Sequence, residues 1–411
     1  MSRSLLCIAS VILALVAAGL PAQEGIKKGK IKKIDAAAGS VVLTVGDKDL
    51  TFHVTPQTKM VGADNKELVN RLQSPELKAG RPVLFKPDQQ GRKDILVGIK
   101  LIPEQQLPRA DTSNLKPLNE LGAMEYHSFK GGFYPDGKNE RPAKHEAAGL
   151  TLAKQIQPLD GAGKPSPQGK IVLLSVGMSN TSQASNGFEK AIAGDNDINA
   201  SFLLVNGAVG GMTAQAIQDP NDNGRGTKYW SEVDQRLKKA GVTRDQVQAI
   251  WIKEADAGPT QGFPKYAKTL EAELTRIVQL FPERFPNCKL VYLSSRTYGG
   301  YATKPLNPEP YAFESGFSVQ WLIGEQIKGN PELNFDPKKG PVRAPWLSWG
   351  PYLWANGTVK RGDGFYYEPT DFADDGTHLS SAGVRKVGEH MLQFFKTDTT
   401  SRSWFTKAAS R

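Results

Sequence analysis

Apolar and polar residues repeat with two different periods along this chain, and the change of period divides it. In the first hundred residues the period is two. Ile26, Ile31 and Ile34 are spaced by lysines, and Val41, Leu43, Val45 and then Leu50, Phe52, Val54 alternate on either side of Gly46-Asp47-Lys48-Asp49, the pattern of a hairpin. Val83-Leu84-Phe85 adds a further apolar set, and Ile95, Val97, Ile99 and Leu101 alternate strictly. Strands this short and this closely spaced predict a small barrel or roll, an OB-like β-domain over residues 24–103.

Residues 104–167 break the pattern with proline, glycine and charge around Gly131-Gly132-Phe133-Tyr134-Pro135-Asp136-Gly137. Tyr126, Phe129, Phe133, Tyr134 and His145 give this stretch more aromatic surface than a free tether carries. It is therefore expected to be an ordered excursion packed on the domain C-terminal to it, with His145 in a structural role or lining the cleft. From residue 168 to 411 the apolar runs become continuous. Ile171–Val176, Ser201–Asn206, Gln248–Lys253 and Leu290–Ser294 read as buried strands, with helical stretches such as Tyr266–Leu280 between them. That alternation predicts an α/β domain with a parallel sheet covered on both faces and a ligand crevice at the carboxyl ends of its strands. Ser179, Gly207, Gly210, Gly211, Glu254, Asp256 and Arg296 all fall just after those ends.

Composition adds a compartment. Arg3, the apolar run Leu5–Leu20 and the small residues Pro21-Ala22 make residues 1–22 a secretory signal, too short for a membrane span, which predicts a secreted or periplasmic protein. Cys7 precedes most of the apolar run, so it does not mark a lipid-anchoring site, and its removal leaves Cys288 alone, without a disulfide. The net charge of +10 favours acidic surfaces or polymers, and no nucleic-acid recognition motif accompanies it. Lys27, Lys28, Lys30, Lys32 and Lys33 read either as a solvated strand face or as a loose association of the β-domain with an anionic envelope polymer.

The chemistry-bearing residues sit at two places. The Ile171 strand stops at Gly177-Met178-Ser179-Asn180, which leaves a serine hydroxyl at the edge of a sheet as a candidate nucleophile. A base is offered by Asp375-Gly376-Thr377-His378, where the spacing lets Asp375 orient the His378 imidazole within one loop. After it, Ser380 or Ser381 can cap a helix that places Val384, Val387, Met391 and Phe394 on one face and anchors the loop. The remaining histidines, His53, His127, His145 and His390, lack paired spacing, and Gly207–Gly211 lacks the lysine of a nucleotide site, so neither metal nor cofactor is expected.

Four blocks in this order, Gly177-Met178-Ser179-Asn180, Asn206-Gly207-Ala208-Val209-Gly210-Gly211, Lys253-Glu254-Ala255-Asp256 and Asp375-Gly376-Thr377-His378, resemble those of the SGNH (GDSL-type) hydrolases over roughly residues 165–400. The resemblance implies a flavodoxin-like three-layer α/β/α fold and ester hydrolysis, often of acetyl groups on carbohydrates. Ser179 would be the nucleophile, His378 the base and Asp375 its orienting partner. The oxyanion hole would take the Ser179 amide with the Gly210 or Gly211 amide. For the third donor, where the family offers asparagine, this chain has Asp256, which stays protonated, orients another donor such as Lys253 or Asn180, or leaves the activity reduced.

Asn180, Tyr298 and the tryptophans Trp346, Trp349 and Trp354 are the candidate substrate contacts, the tryptophans as a rigid loop of aromatic faces on which sugars stack. Glu309, Tyr311 and Glu314 offer further polar contacts or are surface helix residues. The expected function is a secreted serine esterase acting on O-acetylated carbohydrate. The alternatives are a glycan-binding module on the same fold without turnover, and an envelope protein whose working part is the β-domain.

Overall fold

In the computed structural model, which describes residues 25–46, 48–91, 93–102, 110–222 and 224–407, the period-two pattern resolves into five strands. They are β1 (Lys27–Asp35), β2 (Ser40–Val45), β3 (Lys48–Val61), β4 (Pro82–Gln90) and β5 (Lys93–Leu101). They close into a barrel in the order β1-β2-β3-β5-β4, with β3 and β5 parallel and the other pairs antiparallel. One residue in two points inward, and Ile31, Val41, Leu43, Phe52, Val83, Phe85, Leu96, Ile99 and Leu101 form the barrel's own core. Closure leaves no strand edge unpaired. The expected signal, residues 1–22, lies outside the described residues.

The chain divides into two compact units, Met1–Gln106 and Leu107–Arg411. The second is built on five parallel strands: β8 (Ile171–Gly177), β9 (Phe202–Asn206), β10 (Val247–Lys253), β11 (Leu290–Leu293) and β12 (Trp346–Trp349), after a small hairpin β6 (Glu125–Tyr126) and β7 (Phe129–Lys130). The sheet order is β12-β11-β10-β8-β9. Counted within the sheet this is the flavodoxin-like 2-1-3-4-5, whose switch point lies between β8 and β10. Numbering the longer helices alone, α1 is Ala143–Ala153, α2 Ser179–Ala193, α3 Arg225–Lys239, α4 Lys265–Arg284, α5 Tyr311–Lys328 and α6 Ser381–Thr397. Right-handed crossovers that run one way from β8 to β9 and the other way from β9 to β10 place α2 and α3 on opposite faces. Phe188 of α2 stacks on Phe395 of α6, which also meets Tyr292 of β11, and Trp230 of α3 meets Phe281 of α4. Among the described residues no helix is long and apolar enough to cross a membrane.

β12 corrects the sequence reading. The Trp346–Trp354 stretch was expected to be a loop, because tryptophans punctuated by proline and glycine hide the strand period. Trp346-Leu347-Ser348-Trp349 instead pairs with β11 and is wholly buried. The stretch that precedes the first parallel strand covers this last one. Trp346 Nε1 donates to the His145 carbonyl (3.0 Å), Trp349 Nε1 to that of Phe133 (2.6 Å), and the Arg141 Nε to Ser348 Oγ (2.6 Å). The Tyr134 hydroxyl also meets Ser348 Oγ at 3.0 Å, and Arg141 pairs with Glu146 and Asp398. Burial pushes the His145 pKa down to about 4, and the neutral ring stacks on Trp346 at 4.8 Å.

Candidate active site

The switch point carries the candidate chemistry. β8 is buried along its length, Met178 is extended, and α2 begins at Ser179, so the hydroxyl stands half-buried at the carboxyl edge of the sheet and at the positive end of a helix. The other half of the site comes from a loop before α6. Phe372 and Leu379 bridge its mouth, and the Ala373 N–H donates to the His378 carbonyl (2.8 Å). Within it Gly376 has φ +63°, and a Cβ there would sit 1.7 Å from the Tyr301 carbonyl oxygen, so only glycine lets the loop seat this deeply.

Asp375 folds the loop around itself. Its Oδ1 accepts the N–H groups of Thr377 (3.0 Å) and His378 (2.9 Å), and its Oδ2 accepts His378 Nδ1–H at 2.6 Å. Burial by itself would raise this carboxyl's pKa. The hydrogen bonds from the imidazole and from the two amides outweigh burial and hold it well below the ordinary carboxylate range. With Nδ1 carrying the proton, the lone pair of Nε2 faces outward, and the Ser179 hydroxyl donates to it at 2.8 Å. The side chains of His378 and Asp375 keep 30% and 19% exposure, enough for a substrate to reach the ring. Serine, histidine and aspartate thus form one continuous hydrogen-bonded line between two segments 199 positions apart in sequence.

The helix that begins at Ser179 also holds the loop that carries His378. Gln183, one turn on, donates from Nε2 to the Leu379 carbonyl (3.1 Å) and accepts the Leu379 N–H at Oε1 (3.0 Å). Asn180 Nδ2 donates to the Thr377 carbonyl at 2.7 Å. Farther along, α2 and α6 cross at Gly187 and Gly388, where a Cβ on either would come within 2.2 Å of the other helix's backbone. Sequence reasoning did not single out Gln183. Its i+4 spacing from Ser179 puts both on one helical face and is the signal that would have found it.

The other candidates divide. Gly210 lies beside Ser179, since a Cβ there would be 3.9 Å from Ser179 Cβ. Gly211 is at φ +75° with open space over it, its carbonyl accepting from Arg225. Asp256 turns to other partners: its Oδ1 accepts the Gln215 N–H (3.0 Å), and its own N–H donates to the Tyr266 hydroxyl (2.9 Å). Glu273 faces the same carboxylate, and burial together with that neighbour pushes its pKa up to about 9. Asp256 is therefore an acceptor anchoring the chain before α3, which corrects its assignment as an oxyanion donor. Lys253, the substitute donor, is buried, and burial with the nearby Arg296 charge holds its pKa well below that of an ordinary lysine.

The substrate contacts are corrected too. Trp346, Trp349 and Trp354 are at most 2% exposed, and Trp354 Nε1 donates to Glu309 (2.7 Å), so none offers a stacking face. Tyr298 is packed between Tyr301 and Trp354, its hydroxyl 3.1 Å from Thr112 Oγ1. Asn180 is 1% exposed with both ends of its amide engaged. Glu309 and Glu314 are buried, and Glu314 accepts from the Tyr126 hydroxyl at 2.9 Å. Among the described residues no three His, Cys, Asp or Glu side chains converge as a metal site requires.

Glu273 has a measurable consequence for stability. Its pKa lies above the ordinary 4.5, so the folded state binds a proton that the unfolded chain releases, and stability falls as pH rises from about 4.5 through about 9. Glu273→Gln keeps a donor toward Asp256 without a titrating proton. Its melting temperature relative to the parent protein should climb steadily between pH 5 and 9; parallel curves would refute the shared proton.

No family model matches the chain, and no curated protein matches it. Among solved structures, silver-bound CusF of Escherichia coli is 26% identical over 19% of this chain and 90% of its own, with a TM-score of 0.15. The periplasmic domain of a lipopolysaccharide acetyltransferase from Salmonella ser. Paratyphi A is 13% identical over 61% of this chain and 95% of its own (TM-score 0.30). A candidate acylhydrolase from Bacteroides fragilis is 12% identical over 62% and 96% (TM-score 0.32).

Proposed function

We propose that the second unit is a serine esterase of the SGNH kind, which removes acyl groups, acetyl above all, from esterified carbohydrate. The observation that carries the reading is the unbroken line from Ser179 Oγ to His378 Nε2 (2.8 Å) and from His378 Nδ1 to Asp375 (2.6 Å). As the hydroxyl attacks the ester carbonyl, Nε2 takes its proton, and Asp375 stabilises the imidazolium that forms. The oxygen of the tetrahedral adduct becomes an anion beside the amides of Ser179 and Gly210, at the start of α2. Collapse expels the alcohol, to which His378 returns the proton, and leaves Ser179 acylated. Water activated by the same ring then attacks the acyl group, releasing the acid and the free serine.

Carbohydrate as the alcohol component rests on the sequence resemblance, because the tryptophans that would have supported it independently are interior. The same burial removes the feature on which a glycan-binding module without turnover was founded. The test is nitrophenolate release from a chromogenic acetate ester by the purified protein; a rate no higher than that of Ser179→Ala ends the esterase reading.

The proposal extends to the setting. Residues 1–22 act as a cleaved signal, and the barrel, read as OB-like, gives a loose hold on an anionic envelope surface. Between residues 25 and 102 the chain has 15 Lys and Arg against 8 Asp and Glu, so most of the net charge of +10 lies on the barrel. Lys27, Lys28, Lys30, Lys32 and Lys33 are exposed on β1, and among the described residues only Lys32 of these has a carboxylate partner, Asp49. Lysines often guard open sheet edges, but β1 is paired on both sides, with β2 and β4. At about 1 kcal/mol per lysine near an anionic surface, replacing Lys28, Lys30 and Lys33 by glutamine should weaken binding to phosphatidylglycerol-rich vesicles on the order of 100-fold. Ester turnover should be unchanged, and vesicle binding unaltered by the substitutions would remove the barrel from this role.

A further inference from the structure

One buried cation near the site takes no part in proton transfer or acyl transfer. Arg296 lies beyond the end of β11, is 3% exposed, and sits where Glu254, Glu309, Tyr266 and Tyr367 act on its charge. A guanidinium this deep needs a reason, because burial opposes its charge and its Nε has no hydrogen-bond partner. Its Nη1 donates to Asn180 Oδ1 at 2.8 Å, and Nη2 reaches the Leu306 carbonyl at 3.4 Å.

The amide between Arg296 and the catalytic loop gives the contact its meaning. An asparagine side chain is nearly symmetric in shape but opposite in polarity at its two ends, so a half-turn about its last bond exchanges donor and acceptor. Arg296 can only donate, so it fixes the oxygen of Asn180 toward itself and thereby the NH₂ toward the Thr377 carbonyl (2.7 Å). Asn180 is the residue after Ser179, and Thr377 is the residue before His378. The three groups are therefore a further connection between the two halves of the site, beside that of Gln183 with Leu379 and behind the reacting atoms.

We propose that Arg296 is a positioning residue. By setting the polarity of the Asn180 amide it locks the loop of His378 to the start of α2 in the register where the imidazole meets the hydroxyl. With a nonpolar side chain in its place the buried Asn180 oxygen loses its donor, the amide turns away in search of another and loosens its hold on the Thr377 carbonyl, and the loop gives way. The inference rests on the esterase reading for its kinetic consequence, but its structural consequence can be measured without turnover.

In Arg296→Met, kcat on a chromogenic acetate should fall on the order of 100-fold with little change in KM, the scale for an ångström-sized misplacement of a reacting group. Arg296→Lys, whose ammonium can still donate to Asn180, should recover at least tenfold. Asn180→Ala should lose as much as Arg296→Met, and the double variant no more than either, because the two act in series. In proton NMR, the low-field signal of the His378–Asp375 hydrogen bond should broaden or vanish in Arg296→Met and persist in Arg296→Lys, at temperatures where both remain folded by circular dichroism. If the methionine variant does not fold, Asn180→Ala carries the same two readouts. Additive losses, or an unchanged low-field proton in Arg296→Met or Asn180→Ala, would overturn the proposal. A wild-type protein without ester turnover would end the esterase reading, while the proton signal would still decide the role of Arg296.

Discussion

Ser179→Ala should lower ester turnover on the order of 10⁶-fold, to the level that binding and backbone donors alone can sustain. The expectation follows from the 2.8 Å contact between Ser179 and His378: the imidazole has no other hydroxyl within hydrogen-bonding reach among the described residues, so nothing replaces the lost nucleophile. Removing the base as well, in Ser179→Ala with His378→Ala, should cost little more than the single change, because the two act as a unit. Peptide mapping after phosphonylation gives a second check, since the label should appear on Ser179 and be absent from the alanine variant. Turnover by Ser179→Ala within tenfold of the wild type would place the reaction elsewhere or nowhere in this fold.

Asp375→Asn should cost about 10⁴-fold in kcat while leaving the serine and histidine in place. The carboxylate accepts three hydrogen bonds, from His378 Nδ1 and from the two backbone N–H groups. An amide oxygen can still accept the backbone pair. Its NH₂ then faces Nδ1, which must become the acceptor, so the ring proton moves to Nε2 and points at the hydroxyl it should deprotonate. The same change should show in stability. The Asp375 pKa in the folded protein is depressed below its ordinary 3.8, so its contribution is fully present above that value and is lost as pH falls below it. The melting-temperature gap between wild type and Asp375→Asn should therefore be widest near neutrality and shrink on acidification below about pH 4. A gap that widens in acid would contradict the hydrogen bonding described for this carboxylate.

Both halves of the reactive line were legible in the sequence because each is local. A β-branched run ending at Gly177-Met178-Ser179 specifies a strand-to-helix turn, and Asp375-Gly376-Thr377-His378 specifies a loop whose acid can reach its own imidazole. Four of the five parallel strands were legible for a related reason: an apolar run between helical stretches has few alternatives. The fifth was not, since Trp346-Leu347-Ser348-Trp349 takes its strand geometry from β11 and its cover from residues 133–146, neither of which is local. Asp256 shows the limit from the other side. Its position after β10 was read correctly, but the direction of its side chain is set by Gln215 and Glu273, which lie on either side of it in sequence and reach it only through the fold. Arg296 stood among the strand-end residues, yet its contact with Asn180 spans more than a hundred positions and leaves no local trace.

The cover over β12 bears on how the second unit can be obtained by itself. A gene fragment begun at the first parallel strand would discard the residues that shield Trp346 and Trp349, presenting the outermost ladder and two indole rings to every neighbouring molecule. Such a fragment should collect in inclusion bodies, whereas one begun near residue 110 should purify as a monodisperse species.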